Sequence, residues 1–562
     1  MTSGNEISRR SFLSRSALAG GVVALGAGAP SLLAGCSSSA GSPTTTAAGS
    51  KPGVGTGTPK RGGTLTVGTI ADIDGFYPPN NHWDTNGFLY ANAIYDPLMA
   101  VAADGSIQPY LAQSMTPNST FDTWTMTLRP NIKFNDGSAL TSAVVASNYN
   151  ALKKSALTGV ALAQISAVDT PDAMTVVYHL TGPNPTFPSG LTTQVGYVVG
   201  QAMIDQANAG GSGVLTPVGT GPFIYSQWQQ NSFFTATRNP NYWRSGLPYL
   251  DTITFKPIPD STQRESTLRT GGVDMIESAT PATITNFEGS GGSGFQLVDS
   301  RTGVIGQPTF TYIMLNTLVP PTSDLSIRQA LAKAMNQEEV QKIIGGPPQQ
   351  PATGIFLPSS PYYSKTAYPS YDPSGATALV NQYKAKHGTP TLQLMTIPDP
   401  IAIKEVQAVQ QMWQQVGFNV TINEVEQATI INDFIVGKFQ AVTSYQFGAV
   451  NPDLNYVWWS TTTISPIGSI GLNFTRLDDP TLETAMLQGR HTTDEATRVA
   501  AYRTVNEQLG LQLPYLWIEQ FFFSEVAAQR VQNFNNPTLP DGKPGLGFNE
   551  GIFFPTQVWL NG

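Results

Sequence analysis

The chain has 562 residues, several times an ordinary domain, with 30 lysines and arginines against 38 aspartates and glutamates and a formal net charge of −8. An acidic balance without a basic block excludes nucleic acid as the natural partner, and a single cysteine, Cys36, rules out internal disulfides and thiolate metal clusters. Charged residues are only 12% of the total, so the surface is neutral and polar, as suits an exported protein.

The chain opens with Ser8-Arg9-Arg10-Ser11-Phe12-Leu13, continues through a weakly apolar segment from Ala17 to Ala29, and reaches Leu33-Ala34-Gly35-Cys36. A basic head, a short hydrophobic run and a small-residue processing site, in that order, make an export signal over residues 1–35. The paired arginines before Phe-Leu point to the twin-arginine route, a receptor-read address. The four residues ending in Cys36 resemble the lipobox of bacterial lipoproteins. That resemblance implies cleavage after Gly35, lipid on the Cys36 thiol and acylation of the new amino terminus. Ser37 to Pro59 is almost entirely Ser, Gly, Thr, Ala and Pro, which predicts a flexible leash over residues 36–60. No other apolar run approaches the ~18 residues that span a bilayer, so the mature protein is expected to be anchored to a membrane without crossing it.

Order is expected from Gly62-Gly63-Thr64-Leu65-Thr66-Val67-Gly68, an alternating strand closed by glycine. A loop rich in aromatics and amides follows from Asp72 to Asn86, then a helix from Phe88 to Leu98 broken at Asp96-Pro97. Alternation predicts strands at Thr123–Arg129 and Thr175–Leu180, with a helix at Ser142–Leu152 between them. Gly219-Thr220-Gly221-Pro222-Phe223 marks a tight turn, in which paired glycines permit backbone angles closed to other residues. A strand at Thr252–Ile258 and a helix at Thr262–Arg269 follow, then a strand at Thr311–Asn316. Ser326–Ile344 contains a helix, with Ile327, Ala330, Leu331, Ala334 and Met335 on one face.

Leu392 to Met395 is a strand, and Ile401–Val416 carries Val406, Val409, Met412, Trp413 and Val416 at helical spacing with Gly417 as the stop. Phe418, Val420 and Ile422 alternate as the next strand. Strand, helix and strand predict a right-handed βαβ unit with a parallel pair. Asp494–Leu509 is a further helix, and Tyr515–Phe523 is a largely apolar aromatic strand. The mixture gives an α/β fold with more than one sheet.

Several stretches occur in the order found in family 5 extracytoplasmic solute-binding proteins, the peptide and nickel group of ABC importers. They include Gly62 to Gly68, Tyr95-Asp96-Pro97-Leu98, the run from Trp124 to Gly137, and Pro217 to Phe223. Asn239-Pro240-Asn241-Tyr242-Trp243, Gly271-Gly272-Val273-Asp274, Ile327 to Leu331, Tyr371-Asp372-Pro373 and the βαβ around Gly417-Phe418 complete the set. The resemblance covers essentially everything from Arg61 onward. It implies a two-lobed clamp of the type II periplasmic-binding-protein kind, with an extra subdomain in the first lobe. The first lobe then comprises residues 61–96, 219–300 and 510–562, with the subdomain at 97–218, and the second lobe is 301–509. The implied protein is a monomer on the outer face of the cytoplasmic membrane that hands solute to ABC permease subunits.

In peptide-binding members, an aspartate of the second lobe pairs with the peptide's α-amino group, three residues before an acidic residue followed by proline. The matching stretch is Tyr445-Gln446-Phe447-Gly448-Ala449-Val450-Asn451-Pro452. Gly448 occupies the aspartate's place and supplies no anion for a buried ammonium. Asp453 substitutes only if the register slips. The backbone of Tyr445 to Gly448 remains available to an extended ligand as a strand edge, or is an ordinary buried strand. Asp96 matches an acidic ligand contact of some peptide binders, or is a helix-terminal residue before proline. Tyr77, Asn81 and Trp83 fall where family members face the cleft, and Trp458-Trp459 adds an aromatic pair, with core packing the alternative role for each tryptophan.

His82, His179, His387 and His491 lie far apart, with no metal-ligand spacing, so no metal or cofactor is expected. The chain contains no GxSxG, HExxH or Walker A sequence, and no catalytic residue is assigned. The leading expectation is a receptor for oligopeptide-like solute rather than an enzyme. A neutral solute such as an oligosaccharide, a secreted cell-wall hydrolase and a sensory or adhesive lipoprotein are the alternatives.

Overall fold

The alternation at Thr64-Leu65-Thr66-Val67 buries Leu65 and Val67 completely, and the strand Thr64–Thr69 lies within a seven-stranded sheet. This is a computed structural model, and the described residues are 51–210, 216–301, 308–446, 448–549 and 551–562. Cys36 and the signal segment lie outside them. Thr64–Thr69 runs parallel to Thr252–Pro257 on one side and Met275–Ser278 on the other. Antiparallel strands extend the sheet outward, ending at Phe295–Asp299 and Phe223–Gln229. The helix Thr85–Ile94 packs into the first lobe's core, and the Asp84 carboxylate caps its start by accepting from Gly87 N at 3.0 Å.

Residues 97–218 contribute a four-stranded antiparallel sheet, in the order Ala112–Pro117, Thr123–Leu128, Thr175–Leu180 and Ile165–Asp172. Its inward residues Met126, Leu128, Val176 and Tyr178 form a core of their own with the helix Ser142–Lys154. The chain returns to the first lobe at Gly219-Thr220-Gly221. Neither glycine has a positive φ. Glycine is required there because a methyl on Gly219 would be driven into the Ile94 carbonyl oxygen, and one on Gly221 into its carbonyl carbon.

The second lobe is a five-stranded sheet in the order Asn419–Glu424, Thr391–Thr396, Ala441–Gln446, Phe310–Leu315 and Tyr515–Gln520. Helices and loops cover both faces, so all six residues of Phe310–Leu315 are buried. The expected βαβ unit forms as Thr391–Thr396, the helix Pro400–Gln415, and Asn419–Glu424, with the two strands parallel. Gly417 turns the chain at φ 105°, where a side chain would be strained. Trp413 is fully buried and donates its indole N–H to the Leu331 carbonyl at 3.1 Å.

Two elements differ from the sequence reading. The stretch Ser326–Ile344, expected to contain a helix, holds two, Leu325–Ala334 and Gln337–Ile344, because Asn336 leaves the helical conformation and caps the second one at Glu339 N. The expected strand Tyr515–Phe523 also divides. Tyr515–Gln520 closes the second sheet, Ser524–Ala528 joins the first, and Phe521 to Phe523 cross between them. The second sheet thus continues past Leu509, which lies inside the helix Glu495–Gln512. Phe521 N donates to Thr309 O at 2.9 Å and Ser300 N to Phe523 O at 3.1 Å, so Ser300 and Thr309 lie beside this crossing.

Gly219→Ala sets a methyl against the Ile94 carbonyl and the buried Tyr95 ring. It is expected to destabilise the chain by about 1–3 kcal/mol, read as a lower urea midpoint. An unchanged midpoint would show that the turn moves away from Ile94 freely.

Candidate ligand-binding cleft

A cavity of about 650 Å³ lies between the lobes, within the range of small-molecule sites. Its second-lobe wall begins where two parallel strands part. Ala441–Gln446 pairs along its whole length with Phe310–Leu315, but only Ala441 and Val442 meet Thr391–Thr396. Beyond Val442 the other edge of the strand is left without a strand partner, and Thr443, Ser444, Tyr445 and Gln446 line the cavity. Tyr445 stacks on Phe521 of the crossing, with centroids 4.3 Å apart and planes 12° off parallel, and meets Phe523 edge-on at 5.4 Å.

The lobes touch around this space. Gln427 Nε2 donates to Asp84 Oδ2 at 2.7 Å, and Ser261 N donates to Asp399 Oδ2 at 3.3 Å. His491 Nδ1 lies 2.6 Å from the Pro183 carbonyl oxygen, which can only accept, so the proton sits on Nδ1. The clamp is closed.

Charge inside the cleft is mostly paired. Asp453 receives Arg490 Nε at 2.7 Å with both side chains nearly buried, and the guanidinium lies 3.7 Å from the Tyr456 ring centroid. Arg264, 2% exposed, donates to the carbonyls of Ile258, Pro259 and Glu277 at 2.6, 3.1 and 3.0 Å. Glu405 is different. It is 7% exposed, lines the cavity, and its buried Oε1 has no hydrogen-bond partner. Burial, with the charge of Asp399 adding to it, pushes its carboxyl up to about 8. Glu519, on the strand Tyr515–Gln520, is pushed up to about 8 by burial and by Glu405.

Of the residues expected to touch ligand, Trp83, Tyr445, Gln446, Gly448, Asp453 and Trp458 line the cavity. Asp453 does so with its charge already committed to Arg490. Tyr77 lies in the first lobe's core, and Asn81 braces that loop, its amide donating to Asp74 O at 3.0 Å and its oxygen accepting from Tyr77 N at 2.9 Å. Trp459 is 2% exposed in the second lobe's core. Asp96 is off the cavity wall. It holds the subdomain seam by accepting from Trp243 Nε1, Tyr242 Oη and Thr220 Oγ1 at 2.8, 3.1 and 3.2 Å, and burial pushes it up to about 6. Phe447 lies outside the described residues.

Asp479 is 6% exposed and caps the helix Pro480–His491. Sequence reasoning missed Asp399, Glu405, Gln427 and Arg490. Glu405 alone carried a signal, an acid on the face that Val406, Val409 and Trp413 bury. Among the described residues, no group of three His, Cys, Asp or Glu side chains is placed to hold a metal ion.

Residues 106–465 match the family model described as bacterial extracellular solute-binding proteins, family 5, middle region. The chain is 27% identical over 489 residues to the nickel-binding periplasmic protein of Escherichia coli, covering 82% of this chain and 90% of that one. It is 26% identical over 482 residues to the glutathione-binding protein GsiB of Pectobacterium atrosepticum, covering 81% and 88%. The periplasmic binding protein DppA of Helicobacter pylori, solved with the peptide STSA, shares the fold with a TM-score of 0.78 at 20% identity, covering 90% of this chain and 99% of that one.

Burial also pushes Glu277 up to about 8, against an ordinary 4.5, with Arg264 opposing the shift. A buried neutral acid holds a proton that the unfolded chain has already released. Its contribution is therefore complete below about pH 4.5 and is lost as pH rises through about 8. With Glu277, Glu405 and Glu519 acting in the same direction, the melting temperature is expected to fall from pH 5 to pH 8.5. Glu277→Gln is expected to flatten that slope. A flat profile in the unaltered chain would show that these acids are ionised when folded.

Proposed function

This chain belongs to the bacterial extracellular solute-binding proteins, family 5, and from that premise we propose that it is the receptor of an ABC importer for oligopeptide-like solute. The carrying observation is the partnerless edge of Thr443–Gln446, opening into a cavity of about 650 Å³ that the other lobe covers. An extended ligand supplies the backbone donors and acceptors that this edge lacks. The first lobe then covers it through Trp83 and Thr85. Only a solute that touches both lobes favours the closed state, and closure is what a permease reads. The relatives named above are a nickel-binding protein, a glutathione-binding protein and a protein solved with a peptide, and of these peptide-like solute suits the strand edge best.

A second reading keeps the receptor and changes the ligand to an oligosaccharide or another neutral solute. It is favoured by Gly448 and by the commitment of Asp453 to Arg490, which leave the usual ammonium position without a free anion. The stacked Tyr445 and Phe521 rings suit sugar faces as well as side chains. A lipid on Cys36 would tether the clamp to the outer face of the membrane. Among the described residues, no helix is long and apolar enough to cross one.

A thermal-shift panel on the chain from Ser37 onward separates the two readings. A mixed oligopeptide pool at 100 times its dissociation constant is expected to stabilise by ~2.7 kcal/mol. Stabilisation by oligosaccharides alone would overturn the peptide reading. Cys36→Ala is expected to move the protein from the membrane to the soluble fraction, and continued membrane association would refute the anchor.

A further inference from the structure

Four described carboxylates line the cavity: Asp84, Asp399, Asp453 and Glu405. Asp84 accepts from Gly87 N and Gln427 Nε2, and Asp453 is paired with Arg490. Asp399 caps its helix through Ile401 N and Ala402 N, and reaches across the cleft to Ser261 N. Glu405 has no hydrogen bond and no ion pair, although it is more than nine-tenths buried. Its nearest electrostatic neighbours make matters worse, because Asp399 and Glu519 are both acids. A protein gains nothing in stability from an unpartnered acid on the apolar face of a helix that otherwise buries Val406, Val409 and Trp413. The position is explained if the missing partner arrives with the ligand.

We propose that Glu405, backed by Asp399 and Glu519, is the cleft's recognition group for a positive charge on the solute, an ammonium or a guanidinium. This rests on the receptor reading above and supplies the anion that Gly448 lacks, from a different element of the same lobe. The groups facing Glu405 are Asp399 at the head of its own helix and Glu519 on the strand Tyr515–Gln520, with Gln349 beside Glu519, its amide donating to the Gln520 carbonyl at 2.9 Å, and Arg264 opposite Asp399 on the first lobe. The raised carboxyl of Glu405 is mostly protonated at pH 7 before a cation meets it. A bound cation draws it to the carboxylate, and one proton leaves for solvent.

Calorimetry with four probes tests this on the chain from Ser37 onward. Ala-Ala-Ala offers a terminal ammonium, N-acetyl-Ala-Lys-Ala a side-chain ammonium, N-acetyl-Ala-Ala-Ala neither, and 1,5-diaminopentane an ammonium without a peptide. At least one cationic peptide is expected to bind tenfold or more tighter than N-acetyl-Ala-Ala-Ala, with proton release seen as a buffer-dependent enthalpy, and which one binds identifies the source of the charge. Glu405→Gln and Glu405→Leu are expected to bring that preference within threefold, abolish the proton release and melt no lower than the unaltered chain at pH 7. A tenfold preference that survives both substitutions overturns the proposal and leaves the receptor reading intact, as does equal binding of free and blocked peptides. Glu405-dependent binding of the diamine alone overturns the peptide reading and keeps the cation site. No binding by any probe overturns both.

Discussion

Buried backbone must be hydrogen-bonded, and the second sheet defers that requirement at one place. After Val442 the strands Thr391–Thr396 and Ala441–Gln446 stop pairing, at the carboxyl end of the first and two residues into the second. The divergence makes room for Asp399 and the first turns of the helix Pro400–Gln415, so one backbone event creates both the open edge and the acidic wall beside it. It is the crevice that open α/β sheets form outside the carboxyl ends of their strands. The other walls, first-lobe loop, subdomain and crossing, are arranged around it.

Charge in the cleft follows a division of labour. Groups that serve the fold are fully engaged, Arg264 by three carbonyls and Arg490 by Asp453 and the Tyr456 ring. Asp84 and Asp399 reach across to the opposite lobe. What is left uncommitted is acidic and lies in the second lobe. A solute entering this space meets an apolar and aromatic surface whose unsatisfied electrostatics have one sign.

The local units were legible because their signals are local. Alternation marked Thr123–Leu128 and Thr175–Leu180, and helical spacing with a glycine stop marked Pro400–Gln415. The turn at Gly219 to Gly221 was found for the wrong physical reason. The glycines are needed for close backbone approach to Ile94, a partner more than a hundred residues away that no local pattern reveals. The change of sheet at Phe521 was invisible for a related reason, since an apolar aromatic run reads alike whether it stays in one core or bridges two. At the site, the aromatic and glycine positions were readable by resemblance. The pairing of Asp453 with Arg490 and the solitude of Glu405 depend on which side chains the fold brings together, and only tertiary structure supplies that.

The crossing at Phe521 to Phe523 serves two structures at once. Phe521 is at once part of the connection between the lobes and the ring on which Tyr445 of the cleft wall rests. Tyr445 faces the cleft while Phe521 belongs to the connection, so wall and connection are one stack of rings. A solute resting on Tyr445 would press, through a single aromatic contact, on the segment that joins the two sheets.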